Sequence, residues 1–296
     1  MFRLPRVFAC VLLLIICATL ASAAPRAGHV FIVSFDGGKP AVMQQSQMPT
    51  LTAMLKDGAG TWNAQTIFPS VTLISHTSML TGLSPAKHKV NWNSWSPDKG
   101  LITVPTVFAL AKKQGLVTAM FVGKEKFEHL NVPGTLDLFS SPGYEAKRVA
   151  KEAAEYIAEK KPNLCFIHFA DSDGAGHRHG WGSPEQMASF ADEDAALATV
   201  RDAIEKAGIS EDSVVILTAD HGGHDKTHGS NSPEDMTIPW IVCGKGVKAG
   251  LVISAPVTTY DTAATALWLL DVPIPADWDG KPVTTAFSEN AAEKKP

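Results

Sequence analysis

The stretch "SVVILTADHGGHDKTHG" (Ser213–Gly229) begins with an apolar run, Ser213 to Thr218, and drops at once into aspartate, glycine and histidine. A short continuous apolar run closed by turn residues reads as a strand buried on both faces. Strands of that kind belong to parallel sheets covered by helices. The same pattern recurs in both directions along the chain, with strands expected at His29 to Phe35, Leu116 to Val122, Asn163 to Phe169 and Thr237 to Cys243. Between them lie stretches of helical period: Pro49 to Lys56, Pro105 to Lys113, Tyr144 to Lys160, Pro184 to Lys206 and Thr259 to Leu270. This alternation predicts an α/β fold, a mostly parallel central sheet with helices on both faces. No repeat, linker or break in composition divides it.

In such sheets, ligands collect beyond the carboxyl ends of the strands. Asp36 directly follows "HVFIVSF", Asp171 and Asp173 follow "NLCFIHFA" with His177 four residues past Asp173, and Asp220 and His221 follow "SVVILTA". A lone aspartate there is usually a turn residue or a cap. Three sets, two with histidine, predict a metal site. Carboxylates and imidazoles without cysteine suit zinc, with manganese the other candidate. Six or seven ligands exceed one tetrahedral ion, whereas two divalent ions about 4 Å apart would use them and clamp both oxygens of a phosphoryl displacement. Of the loop histidines, His228 is favoured over His224 as a ligand. Thr72, in a Pro-bounded turn before a short helical run, offers a hydroxyl where helix amides can face an anion.

Composition bounds the partners. Residues 1–23 carry Arg3 and Arg6, an apolar run and Ala21-Ser22-Ala23, the order of a secretory signal. Residues 24–296 are then one catalytic domain, periplasmic or secreted, with no stable membrane anchor, since nothing downstream approaches the roughly 20 apolar residues of a span. Removing two arginines takes 26 basic against 30 acidic residues to 24 against 30, a net of −6. Such a balance leaves no footprint for nucleic acid. Cys165 and Cys243 lie in apolar runs and read as buried thiols, with one bridge open to them after export. The tail "SENAAEKKP" reads as frayed.

Five pieces in order, the strand with Asp36, "FPSVTLISHTSMLTGLSP" followed by His88, "DSDGAGH", "ADHG" and a later "HG" before "IP", resemble the alkaline phosphatase superfamily. Within it they resemble the type I phosphodiesterase/nucleotide pyrophosphatase branch and its short bacterial members. The resemblance covers Asp36 to about Pro239 and implies an alkaline phosphatase-like fold. It also implies a metal-dependent hydrolase of small-molecule phosphate esters working through a phosphothreonine intermediate. Thr72 would be the nucleophile. Asp36, Thr72, Asp220 and His221 would hold one ion, and Asp173, His177 and His228 the other. Asn93 would place its amide on a phosphate oxygen, and His76 and His88 would not be ligands. "HKV" stands in place of the usual His-Gly-Val, and the last metal histidine follows the DHG more closely than in longer members. Leu73 and His168 occupy the places where nucleotide-cleaving members put base-stacking aromatics. Lys124 and Lys126 resemble the lysine pair by which phosphomonoesterases grip a terminal phosphate; an extended segment would set both on one side. The alternatives are a phosphonate or sulfate-ester hydrolase of the same superfamily, whose sulfatase nucleophile Cys-x-Pro-x-Arg is absent, or a non-catalytic metal-binding descendant.

Overall fold

A computed structural model describes residues 26–288; the expected signal at 1–23 and all but the first residue of the frayed tail lie outside the described residues. The chain begins with β1 (His29–Phe35), α1 (Pro40–Met43), α2 (Pro49–Asp57) and β2 (Ala59–Gln65), then α3 (Thr72–Thr81) and α4 (Pro85–His88). The middle holds α5 (Val107–Lys113), β3 (Thr118–Val122), β4 (Leu138–Ser140), α6 (Ala146–Lys160), β5 (Leu164–Phe169) and α7 (Asp171–His179). The last third holds α8 (Pro184–Lys206), β6 (Ser213–Ala219), α9 (Pro233–Met236), β7 (Thr237–Gly244), β8 (Leu251–Val252) and α10 (Asp261–Leu269).

These strands form one sheet in the order β4-β3-β5-β1-β6-β7-β2-β8. From β4 to β6 every pairing is parallel; β7 runs antiparallel to both β6 and β2. Alternate residues of each central strand enter opposite layers. Val30 and Ile32 of β1 pack with α3, α5 and α10, whereas Phe31, Val33 and Phe35 pack with α2, α6 and α8. Covering both faces is what the unbroken apolar runs require.

Side-chain caps fix two helix starts, that of α5 two residues later than the periodicity suggests and that of α8 where it is expected. Thr106 accepts the Ala109 N–H before α5, and Ser183 accepts the Gln186 N–H before α8. Because β3, β5, β1 and β6 are parallel neighbours, their carboxyl ends bring Lys124, Asp173, Asp36 and Asp220 to one edge of the sheet. Cys165 lies in β5 and Cys243 in β7, with β1 and β6 between them, and both thiols are free and buried. Among the described residues no helix is long and apolar enough to cross a membrane.

Candidate metal centre

Asp36, the first residue after β1, is fully buried, and its two oxygens have different partners. Oδ2 accepts from His168 Nε2–H at 2.8 Å and lies 2.6 Å from Lys124 Nζ. Oδ1 has no hydrogen-bond partner and stands 3.3 Å from His221 Nε2. Asp220 is buried too: Oδ1 accepts the backbone N–H of Gly37, while Oδ2 has no hydrogen-bond partner, 3.2 Å from the same His221 nitrogen. Ser75 Oγ and Thr66 Oγ1 both donate to the Asp220 carbonyl, tying this strand end to α3. Lys124 also donates to Oδ2 of Asp173, on α7, at 2.6 Å, leaving Asp173 Oδ1 without a partner. That oxygen faces His177 Nε2 at 3.4 Å and His228 Nε2 at 3.6 Å.

The three histidines share one arrangement. His221, His177 and His228 each set Nδ1 against a backbone carbonyl, of Gly222, Lys226 and Ser70 respectively. Nδ1–H therefore donates outward, and each Nε2 presents its lone pair to the carboxylates, the tautomer a metal ligand needs. His168 is reversed. Its Nδ1 accepts the Gly123 N–H, so Nε2 carries the proton that Asp36 accepts. His224 turns away to Asp235, with Nδ1 2.7 Å from Oδ1.

Four buried ligand atoms thus lack hydrogen-bond partners, Asp36 Oδ1, Asp173 Oδ1, Asp220 Oδ2 and His221 Nε2. Buried polar atoms are nearly always paired, so a cluster of acceptors without donors fits cations. Two groups have ligand atoms within metal reach, Asp36/Asp220/His221 and Asp173/His221/His228, with His221 in both. His177 borders the second through Asp173. Oxygen and imidazole donors of this number fit two divalent ions. The electrostatics show how much negative charge converges on His221 Nε2, enough to favour a proton there until a cation displaces it. Burial alone would push the His221 imidazole down, yet Asp220, Asp36 and Asp173 outweigh it and carry it up to about 9. Burial and the charge of Asp36 push the Asp220 carboxyl above its usual range. Burial also disfavours charge on Lys124, but Asp36 and Asp173 more than compensate and fix it as an ammonium.

Thr72 is the first residue of α3 and is buried. The next amide, Leu73 N–H, donates to Asn93 Oδ1 at 2.8 Å, and Lys126 Nζ reaches the same oxygen at 3.3 Å. With its oxygen held twice, Asn93 has the donor Nδ2 left to offer.

One sequence expectation, the converging lysine pair, is corrected, and the other residues singled out are placed as follows. Lys124 and Lys126 do not point together: Lys124 is extended, but Glu125–Leu130 coils into a 3₁₀ turn, so one ammonium meets Asp36 and Asp173 and the other Asn93. His168 cannot be a stacking platform at the mouth, because it is fully buried behind Asp36. Asp171 does not join the ligands; its Oδ2 accepts the Ala146 N–H at the start of α6. His76 places Nδ1 on the Thr72 carbonyl and Nε2 on Ser34 Oγ, and His88 Nε2 contacts Ser78 Oγ, so neither imidazole presents Nε2 to the metal cluster. The supporting role of His168 had one signal in the sequence, a lone imidazole in an otherwise apolar strand that ends beside an acid.

The family model for type I phosphodiesterase/nucleotide pyrophosphatase matches residues 30–230, which contain every residue of this cluster. Among curated proteins, the chain is 24% identical over 241 residues to ectonucleotide pyrophosphatase/phosphodiesterase family member 7 of Mus musculus, covering 73% of this chain and 55% of the relative. It is 23% identical over 213 residues to a bis(5'-adenosyl)-triphosphatase of Bos taurus, covering 65% and 47%. The chain spans about half the length of the curated relatives it matches. Among solved structures, murine ectonucleotide pyrophosphatase/phosphodiesterase 5, an inactive threonine-to-alanine variant with AMP, superposes with TM-score 0.75 at 14% identity. That match covers 88% of this chain and 100% of the other. A 2-O GAG sulfatase superposes with TM-score 0.72 at 16% identity, covering 88% and 74%. The mostly parallel sheet with helices on both faces is the alkaline phosphatase-like fold of these neighbours. With its model matched over more than half the chain, this protein belongs to the type I phosphodiesterase/nucleotide pyrophosphatase family.

Proposed function

We propose that the protein is an exported hydrolase of small phosphate esters that uses two divalent ions, zinc or manganese, and a phosphothreonine intermediate. The observation that carries the reading is the cluster of buried, donor-less ligand atoms on Asp36, Asp173, Asp220 and His221. Asp36, Asp220 and His221 would hold the first ion together with Thr72, and Asp173, His177 and His228 the second. When bound, such ions neutralise charge on the reacting oxygens and favour an ionised hydroxyl. Thr72 Oγ attacks phosphorus, the P–O bond to the departing alcohol breaks, and a Thr72–O–P ester forms. Water then cleaves that ester and restores the hydroxyl. Asn93, its oxygen fixed by Leu73 N–H and Lys126, donates from Nδ2 to a phosphoryl oxygen. Lys124 holds Asp36 and Asp173 from outside the ligand oxygens, and His168 orients Asp36.

Lys126 supports monoesters as the preferred class. Its ammonium lies beside Asn93, and a terminal phosphate carries about one more negative charge than a diester. A phosphodiester or pyrophosphate substrate is the second reading, favoured by the named activities of the relatives. Purified protein tested on paired chromogenic monoester and diester, with zinc and manganese supplied in turn, separates the two. Turnover of neither ester with either metal overturns the hydrolase reading. Export rests on residues 1–23; fractionated cells should hold the chain, cut near Ala24, outside the cytoplasm.

A further inference from the structure

Trp181 lies two residues past the end of α7, after Gly180, and takes no part in the chemistry above. Its backbone N–H donates to the Asp225 carbonyl at 2.8 Å, and its indole Nε1–H donates to the Gly37 carbonyl at 3.0 Å. The residue is therefore tied to the loop after β6 and the loop after β1. Gly37 in turn donates its own N–H to Asp220 Oδ1. The indole fills a slot made by missing side chains. A Cβ on Gly37 would stand 3.1 Å from the ring, one on Gly176 2.8 Å, and one on Gly223 would overlap it. Each glycine adjoins the cluster: Gly37 follows Asp36, Gly176 precedes His177, and Gly223 lies two residues past His221. Two imidazoles stand against the same ring, His177 at 5.2 Å and 88° and His228 at 5.8 Å and 61°.

His177 and His228 share Asp173 Oδ1 as a neighbour, yet one is at the solvent-facing end of a short helix and the other in a loop. Each makes one side-chain hydrogen bond, Nδ1 to a backbone carbonyl, and His228 is also stacked on His221 at 3.7 Å. One such bond leaves the His177 ring free to swing about it, and the stack restrains His228 on one face only. A flat wall touching both rings removes that freedom, and here the wall is itself fixed at two points. We infer that Trp181 is the positioning residue of the second metal site, holding the His177 and His228 imidazoles in register for a divalent cation. The inference rests on the two-ion reading.

Zinc titration of the full chain, followed by calorimetry and metal analysis, tests it. Wild type should take two ions. Trp181→Ala should weaken the second by about 10–100-fold, the range for groups that orient ligands, and leave the first within about twofold. Gly176→Ala is a second variant, tolerated by a helical backbone, that shifts the indole without deleting it; it should show the same one-sided loss. Tryptophan fluorescence should respond to the second ion in wild type and lose that response in Trp181→Phe. Equal weakening of both ions, or none, in Trp181→Ala and Gly176→Ala overturns the inference while the two-ion reading stands. A wild-type chain that takes fewer than two ions overturns both.

Discussion

The two halves of the candidate metal cluster are built differently. Asp36, Asp220 and His221 sit on the ends of adjacent strands, and all three are fully buried. Asp173 and His177 are four residues apart on one face of α7, and His228 comes from a loop; the His177 side chain is 43% exposed. Strand register fixes the first half, because moving any member would break the β1–β6 ladder. A short helix and loop contacts fix the second half, and such elements open at lower free energy than core strands. The first ion should therefore be held persistently and the second exchange readily.

The largest effect expected is at Thr72, the proposed nucleophile. Thr72→Ala should cut turnover by at least ~10³-fold while metal content stays near that of wild type, because six other ligands remain. Near-normal turnover would remove Thr72 from the chemistry and detach the first half from catalysis. Next comes the shared ligand. His221→Ala should weaken both ions by more than about 100-fold and His177→Ala only the second, by metal analysis across a chelator series. Equal losses in the two variants would erase the distinction between the halves. Within the loop, His228→Ala should lose about one ion per chain, and His224→Ala none, since His224 bonds Asp235.

The lysines sharpen the comparison from outside. Lys124 touches one carboxylate of each half, so Lys124→Ala should slow monoester and diester alike. Lys126→Ala should slow the monoester about tenfold, ~1.4 kcal/mol, and spare the diester. The smallest effect concerns pH. The hydrogen bond to Asp235 raises the His224 pKa above its ordinary 6.5. A raised folded pKa means that the pair's stabilisation is complete below about pH 6.5 and is lost as pH climbs through the raised value. The thermal midpoint of wild type should exceed that of His224→Ala slightly at pH 6, and the gap should close by pH 9.

Strands buried on both faces were legible in the sequence. β1 and α8 have the bounds expected of them, and β5, β6 and β7 differ by one residue. β2, "AGTWNAQ", escaped because neither its composition nor its alternation marks a strand; pairing with β7 makes it one, through a register shift between Thr61 and Ala64. The very short β4 and β8 lie at the two sheet edges and carry too few residues for a pattern. Asp36, Asp220 and His221 were legible because each follows a strand end, where chain order and spatial position coincide; His177 and His228 come from a helix and a loop. The second contacts of those ligands were not. Lys124 reaches Asp36 because β5 lies between β3 and β1, and His168 reaches Asp36 because its strand neighbours β1; strand order decides both. Trp181 reads in the sequence as one more loop aromatic, and only folding brings three separated glycines around it.

The placement of the two buried thiols has a consequence for where this fold can form. Cys165 and Cys243 are separated by three strand spacings, about 14 Å, whereas a cross-link needs Cα atoms within about 7 Å. Residues 26–288 reach their native arrangement with every covalent bond already present in the nascent chain. No oxidant, isomerase or glutathione poise enters that folding equilibrium, so reductant should leave the thermal midpoint unchanged. Over residues 26–288, protein folded in a reducing cytoplasm and protein folded outside it should have the same structure.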